Sequence, residues 1–490
     1  MQKRAEPKYK QIERRQLFWG AVDFEKLVGP SHPARIIWEL TGRLDLSAFE
    51  SKIRSYQGEA GSPAWPPRLL LSVWLYAYQT GVSSANRLTS LMEWEPGLQW
   101  LCGCQIINVH TLCDFRATHR EALDSLLQQL LALLSEEGLV EFGTVVQDGT
   151  KIQARAGKGS GRRRESLQHK LAAARAYMEK VDAESHETEG RSKQQAAQER
   201  AARERVERLE AAYEEMQQGL KNSKQKDVRV SETEPEARRM RHSEHGGWMY
   251  SYNVQFSTEP GHHFIVGVQV TQDQNDVQQL RPVLDTVQHF TGQKPERVIA
   301  DSGYVTRDSV KQMAEAGVEL VAPLKEESRR QAHVRKKQGI APEFDASRFT
   351  PENGGLRCPA GELLVPIGQK KHHGELRQIY EAEGAACGAC PSKPRCCPQA
   401  AGHGRRLHRV VEHPAVRAHG EWMKTERARA LYAIRGKVAE FPHMRMKANW
   451  GLRRFSVRGR AKASAEALLM VLAYNFSQWM WVLKRQTATA

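Results

Sequence analysis

The most constraining feature of this 490-residue chain is a change of pattern at residue 139. Before it, apolar residues recur at helical spacing. After it, LVEFGTVVQDGTKIQARA carries β-branched residues on both sides of Asp148 and reads as extended structure. Residues 250–271 (YSYNVQFSTEPGHHFIVGVQVT) read as two strands with a Pro-Gly turn. Asp276 is positioned to cap the following helix, VQQLRPVLDTVQHF. A buried strand, RVIAD, then ends at Asp301, followed by a helix at 307–316 and a further strand, VELVAPL. Strand, helix and strand in that order predict a parallel crossover, hence a mixed α/β core.

Residues 1–65 mix short apolar patches with turns, and helical signals then dominate to about 140. Pro66 and Pro67 open RLLLSVWLYAYQTG, which Gly81 closes, and Ser83 or Ser84 can cap ANRLTSLMEW, which stops before Pro96. A short helix is expected from His110 to His119, and a long one from Glu121 to Glu137, ending at Gly138. Such helices suit a DNA-reading module and equally any small helical bundle. The last 70 residues return to helix and end in EALLMVLAYNFSQWMWVL, which should pack on the core.

Charge narrows the class of partner. Lys and Arg total 73 against 57 Asp and Glu, a formal +16, and 40% hydrophobic residues suffice for a large core. No apolar run approaches the roughly 20 residues needed to span a bilayer. The opening MQKRAEPKYKQIERRQ is basic with no apolar segment behind it, so no secretory leader is expected. These features exclude a membrane protein, a small disulfide scaffold and a mainly disordered chain. They leave a cytoplasmic protein with polyanionic partners, nucleic acid first. Residues 401–460 hold 15 Lys and Arg against 4 Asp and Glu, a net +11.

Two stretches stand apart. Residues 157–226 are charged, with apolar residues at helical spacing in LAAARAYMEKV and AAQERAARERVERLEAAYEEMQQGL. They predict a helical hairpin or coiled-coil insertion, or a solvated helix without a partner. Residues 325–420 read as loop-rich and hold five of the eight cysteines. Cys358, Cys387, Cys390 and Cys396 (or Cys397) offer four thiolates at zinc-like spacing, with His372 and His373 as substitutes; reduced thiols without metal are the alternative. Cys102, Cys104 and Cys113 lie in apolar helical sequence and are expected in the core.

Three acidic residues sit where charge is expensive. Asp148 lies inside an apolar strand pattern, Asp301 ends a buried strand, and Glu440 is nearly alone among cations. Each has a plainer reading: an Asp148-Gly149 hairpin turn, a strand-to-helix loop at Asp301, and a surface pair of Glu440 with Arg435 or Lys437. Asp276 and Glu466 are the next acids to consider.

In these segments the chain resembles a DDE transposase of a bacterial insertion sequence, in the branch with a helical N-terminal domain. The stretches that carry the resemblance are LLLSVWLYAYQTGVSSANRL, LCDFRATHREAL, VVQDGTKIQARA, YSYNVQFS, QNDVQQLRPVL and VIADSGYVT. They continue in a tyrosine–arginine–glutamate–lysine pattern and in RRFSVRGRAKASAEALLMVLAYNF. The resemblance implies a ribonuclease H-like core whose acidic triad falls on Asp148, Asp301 and Glu440, holding two Mg²⁺ ions, with Mn²⁺ as a substitute. It implies that Tyr432, Arg435 and Lys447 face DNA, with Lys447 holding a phosphate or a flipped base. The charge concentration adds Arg453, Arg454 and Arg458 as backbone contacts.

The domains expected are a helical DNA-binding region at 1–138 and a catalytic core at 139–156, 236–325 and 421–490. A helical insertion at 157–235 and a Cys-containing one at 326–420 interrupt that core. The implied activity is binding of terminal inverted repeats as a homodimer on double-stranded DNA, cleavage to expose a 3′-hydroxyl, and joining to target DNA. The alternatives are an inactive or domesticated DNA-binding protein, and a nuclease on the same fold that cuts without joining.

Overall fold

A computed structural model describes residues 23–51, 53, 63–186, 192–222, 228–242, 247–324, 336–372, 375–399 and 403–489. Its centre is a six-stranded mixed sheet. Strand β1 (Thr144–Gln153) starts it, and a two-stranded ribbon of β2 (Gly161–Arg162) and β3 (Val230–Ser231) lies apart. The sheet continues with β4 (Arg238–Arg241), β5 (Trp248–Thr258), β6 (Ile265–Thr271), β7 (Arg297–Ile299) and β8 (Glu319–Val321). Its order is β4-β5-β1-β7-β8, with β6 also paired to β5. The β1–β5 and β5–β6 pairs are antiparallel, whereas β1–β7 and β7–β8 are parallel. This is the ribonuclease H-like mixed sheet, flanked by helices.

Asp148-Gly149 is not a turn. Strand β1 runs straight through it, with Asp148 opposite Phe256 and Gly149 opposite Gln255. The expected cap at Asp276 is also absent: the helix begins at Leu280, and the Asp276 side chain accepts hydrogen bonds from Asn253 and Gln255 instead. Two buried amides nearby outcompete the helix end for that carboxylate.

The helices before β1 follow the sequence closely. Pro67–Gln79 is buried all round from Leu69 to Tyr78, as the central helix of a packed group must be. Ser84 caps Ala85–Leu91, Asn108 caps Val109–Thr118, and Arg120–Glu136 runs up to Gly138, whose φ of +69° ends it. This group does not have a core of its own. Its leucines join those of the sheet and of the last helix, Arg460–Thr489, in one continuous cluster.

The last helix is the common partner. Asn475 accepts from the N–H and donates to the carbonyl of Ile265, at 2.9 Å each, so it pairs with β6 as a strand would. Two residues earlier in the same helix, the Ala473 carbonyl accepts from Gln79. Deeper still, Glu466 accepts from the Ser456 and Val457 N–H groups and from the Tyr78 hydroxyl, with Arg116 3.5 Å away. Arg116 also donates to the Ser83 carbonyl and lies over the Trp74 ring. Glu466 is therefore a structural acid.

Both insertions fold on themselves. Arg164–His186 and Lys193–Asn222 pair around Leu167, Leu171, Val206, Leu209 and Met216, as a helical hairpin. The Cys-containing stretch is not mainly loop. It holds a five-stranded antiparallel sheet ordered β13-β12-β11-β10-β9: β9 (Thr350–Glu352), β10 (Gly355–Arg357), β11 (Leu363–His372), β12 (Glu375–Glu381) and β13 (Arg406–Val410). Its strands carry polar residues on both faces, which hides them from an alternation test. No helix among the described residues is long and apolar enough to cross a membrane.

Truncating Arg116→Ala leaves Glu466 buried without its cation. It should cost about 3–5 kcal/mol, read as a lowered urea midpoint. Conversion of an exposed arginine such as Arg87 should leave the midpoint nearly unchanged.

Candidate active site

The parallel pairing of β1 and β7 sets the site. Val146 lies opposite Ile299, so two residues further on Asp148 and Asp301 come abreast. Alternation along each strand puts both carboxylates on the face that carries Val146 and Ile299. That face is covered by the helix Arg435–His443, whose Val438 and Ala439 pack on Val146, Ile299 and Val321. Arg435 and His443, eight positions apart, lie on the same face of the helix and bracket the carboxylates. The Arg435 guanidinium is 3.6 Å from Asp301, and His443 Nε2 is 3.5 Å from Asp148.

Each carboxylate is also held by a backbone N–H close by in sequence. Asp148 Oδ1 accepts from Gly149 N–H at 2.9 Å, and Asp301 Oδ1 accepts from Gly303 N–H at 2.6 Å. Burial opposes ionisation of Asp148, but His443, Arg435 and the Gly149 N–H together outweigh it and hold the carboxyl below its ordinary value. The His443 contact is a close approach without hydrogen-bond alignment. Both ring nitrogens are buried and lack a hydrogen-bond partner among the described residues.

Behind the strand, on the opposite face, lies a buried amide network. Gln147 donates to Gln255, Ser257 and Tyr304 donate to Gln147 and Gln255 respectively, and Gln255 and Asn253 both donate to Asp276. Gly149 is required by this network. A Cβ there would stand 2.4 Å from the Gln255 amide nitrogen and 2.6 Å from Asp276 Oδ1. Sequence reasoning missed the network because its members are spread over four segments. His443 was within reach, since its spacing from Arg435 is a helical repeat.

Glu440 is exposed on the Arg435–His443 helix. Among the described residues, no three or more His, Cys, Asp or Glu side chains are gathered closely enough to hold a metal ion. Glu440 and Lys447 do not share one α-helix, as their seven-residue spacing suggests. Pro442 lies within the helix, which gives way to a π-helix at Met444–Asn449, and Lys447 turns to the Lys151 carbonyl of β1 at 3.1 Å. Tyr432 is half-buried against the apolar cluster beneath the carboxylates. Arg453, Arg454 and Arg458 are exposed on the segment that follows, which pairs with the end of β1 through Gln153.

A large cleft lies elsewhere. It measures about 1490 Å³ and is lined by Arg307, Arg377, Arg406, Arg409 and Arg417; neither Asp148 nor Asp301 reaches it. A second, small cavity is lined by Cys358, Cys387, Cys390, Cys396 and Cys397. Burial pushes the Cys396 thiol up to about 12. Of the other cysteines, Cys102 is buried and Cys113 half-buried, but Cys104 is exposed, in a left-handed turn that ends the Pro96–Cys102 helix. His372 ends β11, and His373 lies outside the described residues.

Comparison with known families agrees with this architecture. A model described as "Transposase DDE domain" matches residues 225–476, just over half the chain, and one described as "Transposase domain (DUF772)" matches 22–118. A search of curated proteins finds no match. The larger match contains Asp301, Glu440 and Lys447 but begins after Asp148, which joins them only through the pairing of β1.

Gly149→Ala should destabilise the protein by about 1–3 kcal/mol, because the Gln255–Asp276 clasp must open; urea unfolding reads it. Asp148 titrates below its ordinary value of 3.8, so the stability it contributes is complete above that value and is lost as pH falls through the lowered one. The stability gap between wild type and Asp148→Asn should accordingly close in acid, measured as urea midpoints over a pH series.

Proposed function

The chain belongs to the transposase DDE domain family, and from that premise we propose that it cleaves the ends of a mobile element and joins them to target DNA. The observation that carries this reading is the parallel register that sets Asp148 beside Asp301 under a helix bearing Arg435 and His443. Two carboxylates abreast repel one another, and a buried imidazole without a hydrogen-bond partner adjoins them. Such a donor set suits a divalent cation. Asp148 and Asp301 would hold Mg²⁺, with Glu440 completing the set once the Arg435–His443 helix shifts toward them; the ion would supply Lewis-acid activation of the attacking oxygen and stabilisation of the leaving one.

The chain's own residues supply the rest. Arg435 provides a fixed cation next to Asp301, suited to a phosphate oxygen. Lys447, anchored on the β1 backbone three residues past Asp148, steadies the strand being cut. Arg453, Arg454 and Arg458 continue that positive track along the DNA backbone. In the first step water attacks a phosphorus at the element end, the P–O3′ bond breaks, and a 3′-hydroxyl is released. In the second that hydroxyl attacks a target phosphorus, and the target's own 3′-oxygen leaves. We assign these steps to residues 139–156, 236–325 and 421–490, and repeat recognition by a homodimer to the helices before them.

Asp148→Ala and Asp301→Ala should each abolish cleavage of terminal-repeat duplexes while leaving binding nearly intact. Cleavage without joining in a strand-transfer assay would favour a simple nuclease, and binding with no metal-dependent cleavage an inactive relative. Arg454→Ala and Lys447→Ala should weaken binding to all sequences alike and lower the salt slope by about one unit. Loss of repeat preference at an unchanged slope would overturn the role given to this segment.

A further inference from the structure

The five cysteines of the second insertion are arranged with more order than packing requires. The insertion has its own hydrophobic cluster, separate from the main core, of ten buried residues among those described. Three of these ten are cysteines: Cys387, Cys396 and Cys397. A core that small does not by itself hold a five-stranded sheet in one arrangement, and small units of this kind are commonly stapled by metal or disulfide. All eight cysteines are free, so no disulfide serves here.

The thiols converge from two loops. Cys358 follows β10 directly, and the loop Cys358-Pro-Ala-Gly-Glu362 curls around it. Its N–H donates to the Glu362 carbonyl, and the Glu362 N–H donates back to Cys358 Sγ at 3.2 Å. Gly361, at φ +93°, permits that curl. From the other side, Cys387 lies in the short helix Gly384–Ala389, Cys390 ends it, and Cys396 closes the helix Lys393–Cys396. Cys387 Sγ accepts the Arg405 N–H at 3.4 Å. An apolar thiol has no need of directed N–H groups; a thiolate ligand does, since they orient it and disperse its charge.

Between the two loops lies a cavity of about 30 Å³, lined by all five cysteines. Among the described residues the thiols do not form a closed ligand group, so a metal would have to draw them together. Lys393 and Arg405 also line it and would balance part of the charge of four thiolates around a dication.

We infer that this cavity is a structural zinc site, with Cys358, Cys387, Cys390 and Cys396 as ligands drawn together by the metal. Cys397 packs beside them as a spare thiol. The site tethers the β10–β11 hairpin loop to the two short helices that precede β13. It stands independently of the acidic site, and its failure would leave the transposase reading untouched.

The test uses the full chain, purified under reducing conditions without chelator. Elemental analysis should find about one zinc per chain, retained in Asp148→Ala and in Cys113→Ala but lost in a Cys387→Ser/Cys390→Ser variant. Because that variant can misfold, two measurements on the wild type accompany it. A mercurial thiol reagent should release the zinc stoichiometrically, and replacement by Co²⁺ should give intense d–d bands with sulfur-to-cobalt charge transfer. Zinc below about a tenth of an equivalent after growth in zinc-supplemented medium, with no cobalt spectrum, would overturn the assignment. So would zinc that survives loss of Cys387 and Cys390 but leaves with Asp148.

Discussion

Everything at the site depends on two short parallel strands lying side by side. Neighbouring strands are about 4.8 Å apart, so a shared register brings Asp148 and Asp301 into mutual repulsion before anything binds. The fold answers from a single helix: the Arg435 guanidinium faces one carboxylate, the His443 imidazole the other, and Val438 and Ala439 seat the helix on the sheet. The antiparallel side of β1 contributes from behind. Its amide clasp at Gln255 and Asp276 fixes the backbone of Gly149, next to the carboxylate that must be aimed.

Much of this could be read in the sequence where the signal is local. Asp148 and Asp301 stand out because an acid inside a β-branched run is costly, and the crossover between β7 and β8 follows from element order. What escaped is what depends on distant partners. Glu466 looks like a spare acid until Arg116, 350 residues earlier, is found beside it. Asp276 looks like a helix cap until two β5 amides claim it. The sheet at 350–410 escaped because its strands alternate weakly. The π-helix at 444–449 escaped because a seven-residue spacing presumes regular α-helix.

The insertions show how such a fold can grow without harming its centre. The helical hairpin enters between β1 and β5, and the Cys-bearing sheet between β8 and the Arg435–His443 helix. Each buries its own apolar residues in a separate cluster. The strands that carry the carboxylates therefore keep their pairing, while the loop between Asp301 and Glu440 bears an entire second sheet.

The last helix has a different consequence. Because Arg460–Thr489 packs at once on the Pro67–Gln79 and Arg120–Glu136 helices and on β6, the front of the chain is not a removable attachment. Exchange of residues 23–138 for the equivalent part of a relative would strand buried leucines, Tyr78 and Arg116 against foreign surfaces. Substitutions on the outer faces of those helices leave this packing intact, whereas exchange of the whole block breaks it.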